Sequence, residues 1–207
     1  ISGDKTENNN GGYDYWIIKL DNAGTIQWQN TIGGDNNDYL TSIIQTFDGG
    51  YFVGGFSYSN ISGDKTEATI GLVGAGDYWV IKLTSLGDIE WQNTIGGDDN
   101  DNLSCVKQTY DGGYVLAGYS ASEISGDKTE PKIWNSDYWV IKLGTTGNIQ
   151  WQNTIGGNSF DNLNCIIQTT DGGFILGGDS SSPISVDKTE ANNGATAYWI
   201  VKLYHED

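Results

Sequence analysis

The 207-residue chain has no arginine and no methionine, and it holds a single histidine, two cysteines and two prolines. Each shortage excludes something. With 27 acidic residues against 10 lysines the formal net charge is −17, so the chain repels phosphate backbones and anionic lipid surfaces. Nucleic acid is not expected as a partner. Membrane insertion is not expected either, because no apolar run approaches the length needed to span a bilayer. Basic partners, divalent cations and neutral glycans remain. A lone histidine, His205, supplies neither a Ser/His/Asp set nor a histidine-rich metal site. Carboxylates abound, but nothing marks a pair for glycoside hydrolysis. The sequence therefore predicts a protein that is not an enzyme.

What is plentiful is glycine, with 30 residues, and aromatics, with 8 Trp, 12 Tyr and 5 Phe. Many glycines beside few prolines point to tight turns between short strands. The run ISGDKTE opens the chain at Ile1, returns at Ile61 and Ile124, and appears as ISVDKTE at Ile184. A second marker, Tyr-Trp, an apolar pair and Lys-Leu, starts at Tyr15, Tyr78, Tyr138 and Tyr198, and a third, WQNTIGG, starts at Trp28, Trp91 and Trp151. The chain is one unit of about sixty residues, repeated. Partial units cover 1–38 and 162–207, and full repeats cover about 39–101 and 102–161, all within a single repeat domain.

The first full unit contains four strand-like runs, at Leu40–Thr46, Tyr51–Ser57, Tyr78–Leu83 and Ile89–Ile95. Asp48-Gly49-Gly50 is a tight hairpin signal between the first two, and Gly87 lies in a short connection between the last two. In the last run Ile89, Trp91 and Asn93 are expected on one face, with Glu90, Gln92 and Thr94 on the other. No helical period is sustained. Four antiparallel strands, repeated, predict an all-β fold of β-propeller-type blades, a partial or open propeller of roughly three to three and a half blades. Seven tryptophans, at positions 16, 79, 139, 199, 28, 91 and 151, are expected to fill the space between blades.

The order of these motifs resembles WD40- and kelch-type propellers in plan. It is more closely similar to the ISGDKTE/DYWxxKLD/WQxTxGG repeats of secreted or cell-surface Bacteroidetes proteins, often substrates of type IX secretion. That resemblance covers essentially the whole chain and implies an extracellular or surface location. Since position 1 is not methionine, a processed form or a segment of a longer propeller is expected. The strand count would otherwise require two chains to combine into one ring, or an array that stays open.

Connections from second to third and from fourth to first strands are expected on the same face, which becomes long-looped and acidic. There Asp35, Asp38, Asp98, Asp99 and Asp101 offer hard oxygen ligands suited to Ca²⁺. The spacing lacks the glutamate of an EF-hand, and Asp38, Asp101 and Asp161 equally suit capping of the turns. Eight lysines recur at two repeat positions, four in the ISGDKTE loop, where Lys65 with Asp64 and Glu67 suits a loop-fixing network, and four on third strands; both sets are read as holding the blade together. Cys105 and Cys165 share one repeat position and are read as small half-buried residues, with a disulfide between adjacent blades as the alternative.

Departures from the repeat are better candidates for ligand or partner contact. They include Trp134 and Lys132 in a loop insertion, Lys107, and Asp179, which stands where Phe56 and Tyr119 stand. Trp134 suits stacking on a sugar ring. Three functions follow: an extracellular binding, adhesion or protein-interaction module; a glycan-binding or glycan-processing propeller; and a structural spacer. Partners are a protein or glycan at the cell surface, or a second copy completing a ring.

Overall fold

The computed structural model describes residues 3–204; His205 lies outside the described residues. It contains thirteen strands and, among the described residues, no helix, hence none long and apolar enough to cross a membrane. The strands are β1 (Tyr15–Leu20), β2 (Ile26–Ile32), β3 (Asp38–Gln45), β4 (Tyr51–Ser57), β5 (Asp77–Leu83), β6 (Ile89–Ile95), β7 (Asp101–Gln108), β8 (Tyr114–Ser120), β9 (Asp137–Leu143), β10 (Ile149–Ile155), β11 (Asp161–Gln168), β12 (Phe174–Ser180) and β13 (Ala197–Leu203). Two complete antiparallel sheets, β3–β4–β5–β6 and β7–β8–β9–β10, lie between a two-stranded sheet, β1–β2, and a three-stranded one, β11–β12–β13. The first strands β3, β7 and β11 approach one another, so they form the inner edge of the array. The end sheets remain separate: β1–β2 does not complete β11–β12–β13, and the propeller-like array is open.

Each core sits between neighbouring sheets. In the two complete sheets the third strands, β5 and β9, are buried on both faces, and their alternation divides them between two cores. In β5, Trp79, Ile81 and Leu83 pack towards β1–β2 with Tyr15 and Ile17, while Tyr78 and Val80 pack towards the next sheet with Trp139 and Ile141. In β9, Tyr138 and Val140 face onward to Trp199 and Leu163. Trp79 and Trp139 are fully buried, and each such side chain contributes roughly 1.5–3 kcal/mol of apolar burial. The tryptophans do not all fill inter-sheet space as expected. Trp16, on the two-stranded end sheet, and Trp151, on a complete sheet facing the three-stranded one, remain 40% and 37% exposed.

The expected alternation in β6 holds from Trp91 onward and fails before it. Register with β5 shifts between Lys82 and Leu83, which face Trp91 and Ile89, so Glu90 is the extra residue of a bulge. Ile89 is thereby turned to the opposite core from Trp91. The same bulge recurs where Ile149 and Trp151 face Leu143 and Lys142. The Asp48-Gly49-Gly50 turn forms as the sequence predicts: Gly49 has φ of 82°, and Asp48 Oδ1 accepts from the Gly50 amide at 3.0 Å.

Candidate functional site

One face of the array carries the long connections 58–76 and 121–136 together with the Gly-Gly turns at 33–34 and 96–97. The ISGDKTE segments fold onto that face as fixed plugs. In the first full unit the Lys65 ammonium is buried 5.4 Å over the Trp79 ring and donates to the Glu67 carbonyl at 2.9 Å and to the Thr94 hydroxyl. Burial pushes its pKa down to about 8. The Glu67 carboxylate accepts from the Thr94 amide at 2.6 Å, and Gln92 accepts from the Trp79 indole N–H at 3.0 Å. Lys128 repeats the arrangement 5.3 Å over Trp139. The loop lysines are structural, and the recurring loop is spoken for.

The acidic residues separate into two populations. Asp38 and Asp101 are buried: Asp38 Oδ2 accepts from the Gly34 amide at 2.7 Å and the Ser59 hydroxyl at 3.0 Å, and Asp101 Oδ2 from the Gly97 amide at 2.7 Å and the Ser122 hydroxyl at 3.0 Å. Asp35 is exposed, and Asp98 and Asp99 are half-buried on the loop surface. Asp98 accepts from the Glu123 amide at 3.0 Å and Asp99 from the Asn100 amide at 2.7 Å. The five therefore do not converge. Among the described residues no three His, Cys, Asp or Glu side chains gather as a metal-holding group.

Beneath the turns lies a different pairing. Asp14, Asp77 and Asp137 each stand close enough to Asp38, Asp101 and Asp161, respectively, for the second charge to raise the first carboxyl's pKa. In all six residues Oδ1 is buried without a hydrogen-bond partner. Burial, opposed by the hydrogen bond from the Ile70 amide and reinforced by the Asp101 charge, leaves Asp77 pushed up to about 7. Burial likewise lifts Asp101 and Asp137 to about 6. Asp77–Asp101 and Asp137–Asp161 are buried inside the frame, whereas Asp14 beside the buried Asp38 is half-buried.

Of the unlike residues, Trp134 is exposed, and its backbone amide and that of Ile133 donate to the buried Asp137 carboxylate at 3.3 and 2.6 Å. Lys132 reaches back to the Ala121 carbonyl at 2.8 Å. Asp179, on β12, accepts from the Asn164 side chain at 3.0 Å and lines a depression with Thr196 and Tyr198. Trp134 and Asp179 are carried by different sheets, and Asp179 does not share its depression with Trp134. Both thiols are free, Cys105 buried and Cys165 exposed.

A feature that sequence reasoning missed is a cluster of four aromatic rings at the loop end of β3 and β4. Tyr39 stacks on Phe56 with ring centroids 5.0 Å apart, lies 5.5 Å from Tyr13, and meets Tyr58 edge-on at 6.3 Å. Phe56 meets Tyr58 edge-on at 6.1 Å. Three of these four positions depart from the repeat: Tyr39 stands where Asn102 and Asn162 stand, Tyr58 where Ala121 and Ser181 do, and Tyr13 where Gly76 and Ser136 do, while Phe56 is matched by Tyr119 and replaced by Asp179. That common departure was the available signal, but the residues lie too far apart in sequence to announce that they meet.

Tyr39, Phe56 and Tyr58, with Asn36, Asn37 and Asn102, line a depression of about 480 Å³ that has no charged lining residue. Its turn is held firmly: Asn37 Oδ1 accepts from the Tyr13 amide at 3.1 Å, and the Tyr58 amide donates to the Asn37 carbonyl at 3.0 Å. Burial, then the neighbouring Tyr39 and Tyr119, raises the Tyr58 pKa, so its hydroxyl is protonated and available as a donor. A larger cleft of about 680 Å³ lies beside Trp151, between the third and fourth sheets. No protein-family model matches the chain, and no curated protein is found to match it.

Proposed function

We propose that this protein is a non-enzymatic binding module that receives a neutral saccharide on its long-looped face, at the Tyr39–Phe56–Tyr58 cluster. The observation that carries this reading is the meeting of four aromatic side chains at positions where other units use mostly small or polar residues. Aromatic rings cover the apolar faces of sugar rings, and amides and phenols at the rim exchange hydrogen bonds with hydroxyls. Asn36, Asn37 and Asn102 supply such amides. None of the lining residues is a carboxylate, histidine or thiol, so the depression suits recognition rather than cleavage. An extracellular or cell-surface setting, implied by the resemblance of the repeats, suits such a ligand.

The test is calorimetric titration of the chain with a panel of neutral oligosaccharides, repeated with Tyr39→Ala and Phe56→Ala. Saturable binding weakened about tenfold or more by each change is expected, as for the loss of one stacking contact. Absence of binding across the panel, or binding indifferent to both changes, would refute the reading. A protein contact through the exposed Trp134 loop is then the next reading to pursue.

A further inference from the structure

At the loop end of the two inner strands, three sheets each carry one cross-strand pair: Tyr39 opposite Phe56, Asn102 opposite Tyr119, and Asn162 opposite Asp179. Residues directly opposite in an antiparallel pair hold their side chains on one face, about 5 Å apart. The three pairs occupy one repeat position in neighbouring sheets, yet no two have the same composition. Their chain neighbours are the same in all three. Asp38, Asp101 and Asp161 precede the first member, and Ser57, Ser120 and Ser180 follow the second. Repeat proteins build extended binding surfaces from equivalent positions of successive units, and here one such position varies inside a constant frame.

The first two pairs form one surface. The Thr41 hydroxyl donates to the Leu103 carbonyl at 2.8 Å, which ties β3 to β7 directly beside Asn102. Asn102 lines the same depression as Tyr39, Phe56 and Tyr58. After burial and Tyr39, it is Tyr119 that raises the Tyr58 pKa, so the half-buried Tyr119 stands near Tyr58. One residue of the intervening loop makes this continuity possible. Gly76 stands where Ser136 does, and a Cβ there would come within 3.0 Å of the Tyr58 ring. The Ser136 hydroxyl donates to Asn162 Oδ1 at 3.2 Å, whereas among the described residues the Asn102 side chain has no hydrogen-bond partner. The glycine thus admits a ring and leaves an amide available.

We propose, and this rests on the saccharide reading above, that the site has two stacking subsites on adjacent sheets and receives two consecutive units of a linear neutral oligosaccharide. One unit lies on Tyr39, Phe56 and Tyr58. The next lies on Tyr119 and exchanges hydrogen bonds with the Asn102 amide, which offers both donors and an acceptor. A ring covers the apolar face of each unit. The depression of about 480 Å³ falls within the roughly 300–1,000 Å³ of small-molecule sites. The third pair, Asn162 with Asp179, presents no ring, and Asp179 already accepts from the Asn164 side chain at 3.0 Å. Stacking therefore stops after the second unit.

The experiment titrates the 207-residue chain calorimetrically with linear series of one to four units, built from glucose, galactose, mannose or N-acetylglucosamine. In a series that binds, affinity should rise about tenfold from one unit to two, as for one added stacking contact, and by less from two to three. Tyr119→Asp should abolish the gain on the second unit, and Tyr119→Phe should keep it. Asp179 and Phe56 already occupy that repeat position, so the frame accommodates both side chains. Two results would overturn this inference and leave the saccharide reading standing, provided that Tyr39→Ala weakens binding. One is the absence of a gain from one unit to two; the other is a gain that survives Tyr119→Asp. A gain that continues undiminished to the third unit would overturn the inference as well. No binding in any series would overturn both it and the reading on which it rests.

Discussion

The Tyr78 hydroxyl donates 3.3 Å to the backbone carbonyl of Trp139, across the boundary between two sheets. Tyr15 makes the same bond to Trp79 and Tyr138 to Trp199, each at 3.1 Å, and all three ring pairs stand 5.0 Å apart. Tyr78 is fully buried, so water cannot replace the bond. Tyr78→Phe is expected to lower stability by about 1–2 kcal/mol, the cost of a buried acceptor losing its donor. Urea unfolding of the two proteins checks this; an unchanged midpoint would mean that the hydroxyl contributes nothing.

Neighbouring glycines on β12 should respond oppositely to the same change. A Cβ on Gly178 would stand 2.1 Å from the Asn162 carbonyl oxygen, a backbone atom of the paired strand, whereas one on Gly177 would meet the Cys165 sulfur at 3.3 Å. Ala117 already occupies the position corresponding to Gly177 in the preceding sheet. Gly178→Ala is expected to cost about 3 kcal/mol or more, and Gly177→Ala to be neutral or slightly stabilising. Denaturation midpoints of the pair decide it.

Stability should pass through a maximum on the acid side of neutrality. Burial raises the folded-state pKa of Asp77 to about 7 and of Asp101 and Asp137 to about 6. Their contribution is fully present below the unfolded carboxylate value of about 4 and is lost as pH rises through 6 to 7. Asp48 has the opposite sign: the Thr46 hydroxyl, then Lys82, lowers it to about 2. Asp111 is raised by burial but brought down to about 2 by the Thr109 hydroxyl and Lys142. Their contribution is present above about 4 and is lost as pH falls towards 2. Melting temperature measured from pH 2 to pH 8 should peak near pH 4, and Asp77→Asn should flatten the descent towards neutrality. A steady rise from pH 4 to pH 8 would contradict this assignment.

Binding and stability should separate at the aromatic cluster. Tyr39 and Phe56 are half-buried and touch mainly one another and Tyr58, outside the three inter-sheet cores. Phe56→Ala should leave cooperative unfolding intact, with a midpoint loss smaller than that of Val53→Ala, whose side chain is fully buried. Equal losses would place Phe56 in the frame rather than at a binding surface.

The strands were legible because turn residues bracket them: Tyr51–Ser57 and Ile89–Ile95 form at the bounds the sequence predicts, and the first strand starts at Asp38 rather than Leu40. The bulge at Glu90 was not legible, since a two-residue period carries no sign of an inserted residue until the partner strand is known. Lys65 was legible in part. Its recurrence in the loop marks it as part of a loop-fixing network, but not that the Trp79 ring and the Thr94 hydroxyl take it inside. The site escaped for a third reason. Tyr13, Tyr39, Phe56 and Tyr58 come from one turn and two strands, and only the hairpin geometry of β3 and β4 brings their rings together.

The bonds that join one sheet to the next all have unlike ends. Tyr15, Tyr78 and Tyr138 reach forward to a carbonyl of the following sheet, and Asn30 and Asn93 reach forward to the following hairpin turn. A surface of this kind is not complementary to itself. Copies meeting through these two ends would do so head to tail, with no two-fold axis between them. Such contacts either close into a cyclic ring or extend as a filament, according to whether the rotation per copy divides a full turn.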